Sequence, residues 1–596
     1  MTDDLVTGGD MNSITRAGRD RAEGAFLGAA IGDALGWPHE MRASRSGKWK
    51  ALPTLRYESW TKRSGGRFQP HEERIEAGHY SDDTQLILAV ARSLLRDRDN
   101  WWLVFATEEL PLWTLYQRGG GGATKRSAAQ WLAGRSPWDA KPEDVERFFT
   151  AGGNGVAMRV LPHCLRRAGD AEFAGLAADI VTDGVTTHGH PRALVGALAY
   201  GYGLWQAFRH RGTLGYGHLL ERVHLDQAAW GGIPDIGERW PSWRDACARQ
   251  PDYARSWSET VREQLDLLDR SAAALAGGAA VVDEDALEEL GCFDPRVNGA
   301  GTVNAAAALF LASRHAADPI EGLKQAALAE GADTDTLASM IGGLMGAAIG
   351  AEWLSRFVRE LQDHEMIRHT ANAIGSLAEG GATSAPRRPV TKSALSTFVS
   401  ELHGLDRRAA VTLPNGLEGE AEPWGGVISK SRSLVATSWL LRLRDGQTWF
   451  IKKLTKSANR STAASQAMTE LPLAGSETES PLLHLGFRLT VSDLAKSASF
   501  YQAILGLPVS KRTAKSVNLG GVLSIGEANN PHPFSGNITV YAEVRDLQRC
   551  LAIYRAIMPD GDCRIEERQD RTRMLCLDPQ GYKVEIYQMK AEGSEG

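Results

Sequence analysis

Apolar residues recur at helical spacing over the first part of the chain, residues 21–378. Glycines lie one helical turn apart in the segment 24–37, and small residues repeat again in the segment 339–353. This spacing lets helix backbones approach closely and is typical of a buried core. Because strand signals are nearly absent, the pattern predicts one all-α domain over residues 21–378, with a less regular, tryptophan-rich insertion at about 208–301.

The most apolar stretch, residues 337–354, is about as long as a membrane-spanning helix. Four glycines and Glu352 interrupt it, so we expect a buried, closely packed helix instead. Residues 1–20 form a polar tail with no apolar signal-peptide region, and the six cysteines have no CxxC spacing. A net charge of -6 gives no polycationic surface for nucleic acid or membranes. These features predict a cytoplasmic protein with reduced cysteines.

The character of the chain changes in residues 379–481. Polar and proline-containing stretches at both ends of this region are typical of linkers. Between them, two runs rich in β-forming residues flank Asp445-Gly446, a dipeptide favoured in type I′ turns. We therefore predict a β-hairpin module within a small β-containing linker region. Two strands alone are only marginally stable, and the role of the region is left open.

The last part of the chain, residues 482–590, contains an internal repeat and is followed by a short tail at 591–596. Each copy predicts a strand, a helix and then short strands bounded by turns, which is a βαβββ unit. Two such units, each with an exposed apolar sheet face, would close a core together. The residues Val491, Asp493, Leu494, Tyr501, Ala503 and Ile504 recur 53 positions later as Val544, Asp546, Leu547, Tyr554, Ala556 and Ile557.

Two oxygen-rich clusters, 81–84 and 333–336, each precede an apolar run at helical spacing. For the first cluster alone, ordinary helix capping is the simpler interpretation. Paired carboxylates that enter a buried helix, however, repel each other and resist desolvation unless a cation neutralises them. Paired carboxylates occur at both helix starts, and the candidate metal-ligand atoms are all oxygens. Oxygen ligands suit Mg²⁺ or Mn²⁺ and suit zinc poorly. Two such ions would hold a substrate hydroxyl and activate a water.

Five motifs occur in one order along the chain: Gly32-Asp33-Ala34-Leu35-Gly36 followed by Glu40, then Ser81-Asp82-Asp83-Thr84, Gly153-Asn154-Gly155-Val156-Ala157-Met158-Arg159, Thr187-His188 and Asp333-Thr334-Asp335-Thr336. In this order they resemble the ADP-ribosylglycohydrolase family over residues 21–378. That family includes the dinitrogenase-reductase-activating glycohydrolase and the vertebrate ADP-ribosylhydrolases. Two positions depart from the usual pattern: Ser81 is often Thr in relatives, and Ala332 replaces a usual Gly.

The resemblance implies a compact all-α fold with a binuclear magnesium centre, in which Mn²⁺ is an alternative to Mg²⁺. It implies Glu40 as a gating or acid/base carboxylate beside the metals. As a hypothesis, a metal-bound water attacks, with Asp83 or Glu40 polarising it, which makes these two the candidate catalytic residues. The glycine-rich loop 118–124 would border the cleft. The implied metal ligands are Ser81, Asp82, Asp83, Asp333, Asp335 and Thr336. The implied substrate-binding residues are Gly153, Asn154, Gly155, Met158 and His188.

Each of these residues also has a simpler interpretation. Glu40 by itself is also interpretable as a solvated loop carboxylate, and His188 equally as a core or capping histidine. Gly153 and its neighbours would form a plain turn, while their free N–H groups would suit a diphosphate. Asp33 is more readily structural than catalytic.

The repeat region resembles the vicinal oxygen chelate superfamily, which includes glyoxalase I, ring-cleaving dioxygenases and bleomycin-resistance proteins. The resemblance rests on the doubled pattern, on Leu505-Gly506-Leu507 and on the segment 578–585, and implies a paired βαβββ cup of the α+β class. Of the metal-binding positions only Glu585 matches, because His484 lies two residues too early and Thr539 replaces a histidine. A metal-free ligand-binding or sequestering cup, or an interaction module, is therefore expected, with Glu585 equally interpretable as a solvated strand residue.

Together these features predict a multidomain, magnesium-dependent hydrolase that cleaves the C1″ glycosidic bond of ADP-ribose attached to a protein, a nucleic acid or a small conjugate. The last domain would bind a small molecule. The alternative is a small-molecule binding or resistance protein that acts through the C-terminal cup, with an inactive N-terminal scaffold. The linkage, the target, the ligand of the cup and the oligomeric state are open.

Overall fold

A computed structural model describes two compact units, Met1–Met468 and Thr469–Gly596. The predicted terminal tails, apart from residues 16–20, and the linker stretch 457–479 lie outside the described residues. The described residues of the first unit are 16–40, 54–66, 69–377, 386–431 and 433–456. Those of the second unit are 487–491, 494–505, 509–513, 516–519, 523–527, 539–544, 547–558, 561, 563–568, 571–577 and 583–589.

Residues 16–377 form a mainly helical domain, as predicted. Its helices are α1 (Arg16–Glu40), α2 (Asp82–Arg96), α3 (Trp101–Val104), α4 (Leu110–Tyr116), α5 (Gly122–Leu132), α6 (Pro142–Phe149), α7 (Leu161–Arg166), α8 (Ala174–Gly184), α9 (Pro191–Arg209), α10 (His218–Leu225), α11 (Gln227–Trp230), α12 (Pro241–Ala248), α13 (Tyr253–Ala276), α14 (Asp283–Glu289), α15 (Gly301–Arg314), α16 (Pro319–Ala327), α17 (Thr334–Ile349), α18 (Ser355–Val358) and α19 (His364–Ser376). A π-helical turn, Phe105–Glu109, joins α3 to α4.

Helices α1 and α17 form the centre of this domain and cross at their glycines. A Cβ atom on Gly28 would lie 2.2 Å from the backbone oxygen of Gly342, so neither position has room for a side chain. The contact continues to Gly36, where a Cβ would lie 2.2 Å from the oxygen of Thr334. The glycine spacing therefore marks a close helix–helix contact, as expected. It also brings the end of α1 beside the start of α17.

The apolar stretch 337–354 forms most of α17, and the side chains of Leu337–Ala348 are buried. In the part of the chain that the structure describes, no helix combines the length and the apolar character needed to cross a membrane. The tryptophan-rich insertion at 208–301 folds as helices α10–α14. Its tryptophans Trp230, Trp240, Trp243 and Trp257 are all buried in the common core.

The helical domain also contains an antiparallel hairpin that the sequence did not predict. Strands β1 (Trp60–Ser64) and β2 (His71–Ile75) pair with each other. Strand β2 also pairs with β5 (Val427–Ser429), which comes from the region after the helical domain. The hairpin therefore links the helical domain to the region that was predicted as a linker.

Residues 386–456 form a module, here called the β-module. It contains α20 (Lys392–His403) and, besides β5, the strands β3 (Ala409–Thr412), β4 (Glu418–Pro423), β6 (Leu434–Leu443) and β7 (Thr448–Lys456). The antiparallel sheet has the order β3-β4-β6-β7. The predicted hairpin is confirmed as β6–β7, and the two extra strands explain how it is stable.

The prediction of a type I′ turn for this hairpin was wrong. A type I′ turn needs positive φ at both central residues, but among the described residues only Asp252 and Asp363 combine a positive φ with a side chain. Here Gly446 N–H donates to the oxygen of Leu443, and Leu443 N–H donates to the oxygen of Gln447. The loop is therefore one residue longer than predicted, and Gly446 alone takes the positive φ, 99°.

The second unit contains two βαβββ copies, as the repeat predicted. Both sheets have the same order: the first strand pairs in parallel with the last, and the two middle strands follow. The first copy consists of β8 (Phe487–Val491), α21 (Leu494–Leu505), β9 (Val509–Thr513), β10 (Ser516–Leu519) and β11 (Leu523–Glu527). The second consists of β12 (Thr539–Glu543), α22 (Leu547–Ile557), β13 (Cys563–Glu567), β14 (Arg571–Leu577) and β15 (Lys583–Met589). His484 lies outside the described residues.

Candidate active site

Helix α2 begins directly after Ser81, and its free N–H groups are satisfied by two other side chains. Ser81 Oγ accepts a hydrogen bond from Asp83 N (3.3 Å), which confirms a capping role for this serine. Asp33 on α1 accepts hydrogen bonds from Ser81 N (2.8 Å) and Thr84 N (2.9 Å). Because Asp33 and Ser81 cap the helix, the carboxylates of Asp82 and Asp83 remain available for other contacts.

At the start of α17, the carboxylate of Asp333 is directed away from simple capping. Asp333 is the N-cap residue, but its side chain makes no capping hydrogen bond. It accepts a hydrogen bond from Asn154 Nδ2 at 2.9 Å, and so ties α17 to the predicted substrate loop. Asp335 Oδ1 accepts from Thr336 N at 2.9 Å. The second cluster therefore contacts a distant segment of the chain through Asp333.

The two helix starts meet at one cavity of about 300 Å³. Asp83 of the first cluster and Thr336 of the second both line this cavity, which brings the two acidic clusters to one place. Ser81 is buried and does not line this cavity. The predicted site residues that do line it are Glu40, Asp82, Asp83, Gly153, Asn154, Gly155, Met158, His188, Asp333, Asp335 and Thr336.

Burial and mutual repulsion make the carboxylates of the cavity reluctant to ionise together. Burial raises the pKa of Asp82 to about 8, although Lys62 favours the charged form. Burial and the neighbouring Asp333 raise the pKa of Glu40 to about 7. The pKa values of Asp83 and Asp335 are raised well above the usual range, first by burial and then by nearby carboxylates. A cluster of this kind is stabilised by a bound cation.

The donor chemistry of the cavity fits a hard divalent cation. The acidic side chains and the Thr336 hydroxyl offer oxygen ligands beside Asn154, Met158 and His188, and Asp83 Oδ1 is buried with no hydrogen-bond partner among the described residues. Over those residues, no three His, Cys, Asp or Glu side chains converge closely enough to enclose an ion as they stand. Holding a cation would therefore require the carboxylates to draw together.

Glu40 is the last residue of α1 and is half-buried at the cavity, so it is not a solvated loop carboxylate. Lys62 on β1 is a basic residue beside the cavity, close to Gly119, and the sequence did not predict it. Its ammonium lies 4.6 Å from the centre of the Trp37 ring and acts electrostatically on both Glu40 and Asp82. No motif surrounds Lys62, and its place at the cavity depends on the unpredicted hairpin.

His188 is buried and lies against the loop of Gly153 and Gly155. A Cβ on Gly155 would lie 2.9 Å from His188 Cε1, so this glycine allows the ring to approach the loop. Burial, with Arg159 nearby, lowers the pKa of His188 to about 3 and keeps the ring neutral. Its Nδ1 is 2.8 Å from Thr187 Oγ1. His188 is therefore both a buried histidine and part of the cavity wall.

The glycine-rich loop 118–124 borders the cavity, as expected. Gly119 has a φ of +108°, and a Cβ there would lie 2.5 Å from Asp82 Oδ1. The loop then enters α5, so the first N–H groups of that helix lie at the cavity beside Gly121 and Thr124. Gly299, which the sequence did not mark, completes the wall beside Asp333.

A comparison with family models shows to which protein family the residues around this cavity belong. Residues 15–385, more than half of the chain, match the model described as ADP-ribosylglycohydrolase. The chain belongs to the ADP-ribosylglycohydrolase family. Residues 482–586 match the Glyoxalase/Bleomycin resistance protein/Dioxygenase superfamily, which confirms the second resemblance. The family assignment agrees with the acidic cavity, since the matched range contains both helix starts.

A curated relative is the ADP-ribosyl-[dinitrogen reductase] glycohydrolase of Rhodospirillum rubrum, which is 31% identical over 182 residues. The match covers 30% of this chain, and the chain spans about half, 56%, of the length of that relative. Among solved structures, an ADP-ribosylglycohydrolase-related protein complex is 23% identical, with a TM-score of 0.40 over 61% of this chain and 99% of that one. TioX from Micromonospora sp. ML1 is 14% identical, with a TM-score of 0.15 over 18% of this chain and 99% of its own.

Proposed function

We propose that the first unit hydrolyses the C1″ glycosidic bond that joins ADP-ribose to a protein, a nucleic acid or a small conjugate. The observation that carries this proposal is the convergence of two acidic helix starts and the Asn154 loop on one cavity. Glycoside hydrolysis passes through an oxocarbenium-like state, which nearby carboxylates and a positioned water stabilise. Membership of the ADP-ribosylglycohydrolase family supports ADP-ribose as the sugar.

The residues of the cavity divide into those that bind the substrate and those that act at the reacting bond. The free N–H groups at the start of α5 and in the loop of Gly153 and Gly155 suit the diphosphate. Neutral His188 contributes a polar ring beside that loop without adding charge. Glu40, at the end of α1 and at the cavity, would exchange a proton with the attacking water. Asp83 would polarise the same water.

Magnesium is the cation that we propose for the site, with two ions and with Mn²⁺ as a substitute. When bound, it would supply positive charge to the ribose hydroxyls and to the attacking water. The residues that would hold it are Asp82, Asp83, Asp333, Asp335 and Thr336. Ser81 is included by family resemblance, although its Oγ already accepts a hydrogen bond from Asp83 N.

The test is magnesium-dependent release of ADP-ribose by the full chain, measured over a panel of substrates with arginine, serine, acyl, nucleic-acid base and phosphate linkages. Replacing Asp333 and Asp335 together by Asn should abolish the release, as should EDTA. Asp99→Asn, at an exposed position far from the cavity, is the matched control and should leave turnover unchanged. Undiminished turnover by the double variant would contradict the proposal.

For the second unit we propose a metal-free ligand-binding module. Glu585 on β15 is buried, not solvated, and accepts a hydrogen bond from Arg573 Nη1 at 3.1 Å. Arg573 also pairs with Glu566 at 2.7 Å. Because an arginine already neutralises the one carboxylate that matches a metal-binding position, this unit should hold no stoichiometric Zn²⁺, Ni²⁺ or Fe²⁺ after dialysis. Metal analysis of the purified chain tests this point.

The alternative function, a binding or resistance protein with an inactive N-terminal scaffold, makes a different prediction for ligand binding. If the first unit is the enzyme, ADP-ribose should raise the melting temperature only when Mg²⁺ is present. If it is an inactive scaffold, ADP-ribose should have no effect with or without Mg²⁺.

A further inference from the structure

The β-module, residues 386–456, lies beyond the range that matches the family model, and it reaches the glycine-rich loop of the cavity. The connection runs through Glu73 on β2, which is fully buried. Arg118 Nε donates to Glu73 Oε1 at 2.7 Å, and Lys452 Nζ on β7 donates to Glu73 Oε2 at 2.5 Å. A single buried carboxylate is thus shared between the loop and the β-module.

Arg118 is itself buried, and further contacts surround its guanidinium. Its Nη1 is 3.2 Å from His79 Nδ1, and its guanidinium carbon lies 3.6 Å from the centre of the Phe450 ring. Phe450 belongs to β7, as Lys452 does, so one strand of the β-module supplies both the ring against Arg118 and the cation that pairs with Glu73. A buried arginine keeps one conformation only when a carboxylate pairs with its charge and a ring packs on its planar face. Without these partners the desolvated charge is left uncompensated.

The position of Arg118 fixes the residue that follows it. Gly119 packs so tightly on Asp82 that a Cβ would lie 2.5 Å from Oδ1 of that carboxylate. From Gly119 the chain runs through Gly121 to Thr124 along the cavity wall. A shift of Arg118 would therefore move both the N–H groups at the start of α5 and the backbone against Asp82.

We propose that the β-module is a structural part of the candidate active site, and that Lys452 is a positioning residue that holds the loop 118–124 through Glu73 and Arg118. This inference rests on the proposed function, because it assigns the loop to substrate binding. Lys452 does not line the cavity. Its effect is to order the N–H groups that would meet the diphosphate.

The experiment compares Lys452→Met with a matched lysine of the same module in the full chain. Lys430 pairs with Glu72, the neighbour of Glu73 on β2, at 2.7 Å, but it is half-exposed. Lys430→Met therefore removes a similar ion pair that does not reach Arg118. Lys452→Arg keeps the charge on Glu73 and serves as the rescue variant. Hydrogen exchange of the amides in 118–124 is measured first, because it does not depend on any activity.

We expect Lys452→Met to raise exchange in 118–124 about tenfold or more, while Lys430→Met and Lys452→Arg leave it near the wild-type rate. In the ADP-ribose release assay, KM should rise about tenfold with a smaller change in kcat, since the residue acts on binding. If Lys452→Met unfolds the chain, Phe450→Leu keeps Glu73 paired and tests the same loop. Unchanged exchange in 118–124 in a folded variant would overturn the inference.

The two proposals fail in different ways. A wild-type chain that neither binds nor releases ADP-ribose contradicts the proposed function, whatever the exchange data show. A wild-type chain that is active, with variants of Lys452 and Phe450 that keep wild-type exchange and KM, contradicts only the role of the β-module.

Discussion

At the scale of single residues, an aspartate at a helix start can cap the helix or contribute to the candidate active site. The neighbouring residues decide which of these two roles it takes. Asp33 takes over the capping of α2, and Asn154 holds Asp333 away from capping α17. The sequence identified Asp33 as structural and the other aspartates as functional. It placed Asn154 in the cleft, but it could not show that its amide contacts Asp333, because the two residues are 179 positions apart.

Asn154→Ala tests this contact. The variant removes the amide that orients Asp333, and residues that orient ligand carboxylates typically contribute about 10- to 100-fold to metal affinity or activity. We expect a loss of that size in magnesium-dependent ADP-ribose release, with a melting temperature near that of the wild type. Titration of Mg²⁺ in the activity assay gives the measurement. A variant with wild-type magnesium dependence would show that Asp333 needs no such partner.

Glu73 has a pH-dependent contribution to stability whose sign follows from its partners. Burial opposes its ionisation, but Arg118 and Lys452 outweigh burial and hold its pKa at about 2. A depressed pKa stabilises the folded state above pH 4.5, the ordinary value for Glu, and this contribution is lost as the pH falls towards 2. The shift corresponds to an effect on the order of 3 kcal/mol. His79, also near Arg118, stays neutral, since burial lowers its pKa to about 3.

Glu73→Gln should therefore be less stable than the wild type at pH 7, and the difference should shrink as the pH is lowered from about 5 towards 3. Urea unfolding of both proteins over this pH range gives the difference in free energy of unfolding. A difference that stays constant with pH would show that Glu73 is not held ionised by Arg118 and Lys452.

At the scale of elements, the crossing of α1 and α17 sets the distance between the two acidic clusters. The glycine spacing in both segments predicted close helix contacts, and the structure pairs the two helices with each other. The sequence could not name the partners, since glycines at one-turn spacing fit any helix of the same kind. The pairing matters for the site because it places Glu40, at the end of α1, beside the start of α17.

Gly342→Ala tests the crossing. The new Cβ would lie 2.0 Å from the backbone oxygen of Gly28, so the helices would have to separate. Overpacking of a core typically costs about 1–3 kcal/mol, and backbone atoms cannot yield as side chains do. We expect a clear fall in melting temperature by calorimetry. Gly169→Ala, where a Cβ meets nothing within 4 Å, is the control and should leave the melting temperature unchanged.

At the scale of the whole molecule, the order of the domains was predictable, but the role of the middle region was not. The residues that recur 53 positions later indicated two βαβββ copies, because each copy shows the strand pattern and the helix pattern in the same order. The β-module lacked such a signal. Its strand β5 pairs with β2, and its Trp449 stacks on Tyr116 with ring centres 3.8 Å apart. These contacts join segments that the sequence analysis had placed in separate domains.

Truncation tests whether the β-module is a structural part of the first unit or a dispensable linker. A chain of residues 1–468 keeps the first compact unit and should unfold cooperatively and bind ADP-ribose with Mg²⁺ as the full chain does. A chain of residues 1–385, the range of the family match, would expose Tyr116 and leave Glu73 without Lys452. We expect it to aggregate or to unfold at a much lower temperature. Equal stability of the two truncations would indicate a dispensable linker.

The sequence by itself determined the local features of this protein. Spacing of glycines, acidic helix starts and the internal repeat are encoded within short stretches, where hydrophobic period and capping chemistry act directly. Only the tertiary structure decided that Asp83 and Thr336 line one cavity, that Lys62 lies beside it and that Lys452 shares Glu73 with Arg118. Such contacts depend on how helices and strands pack across long separations in sequence, and no local pattern of residues specifies that packing.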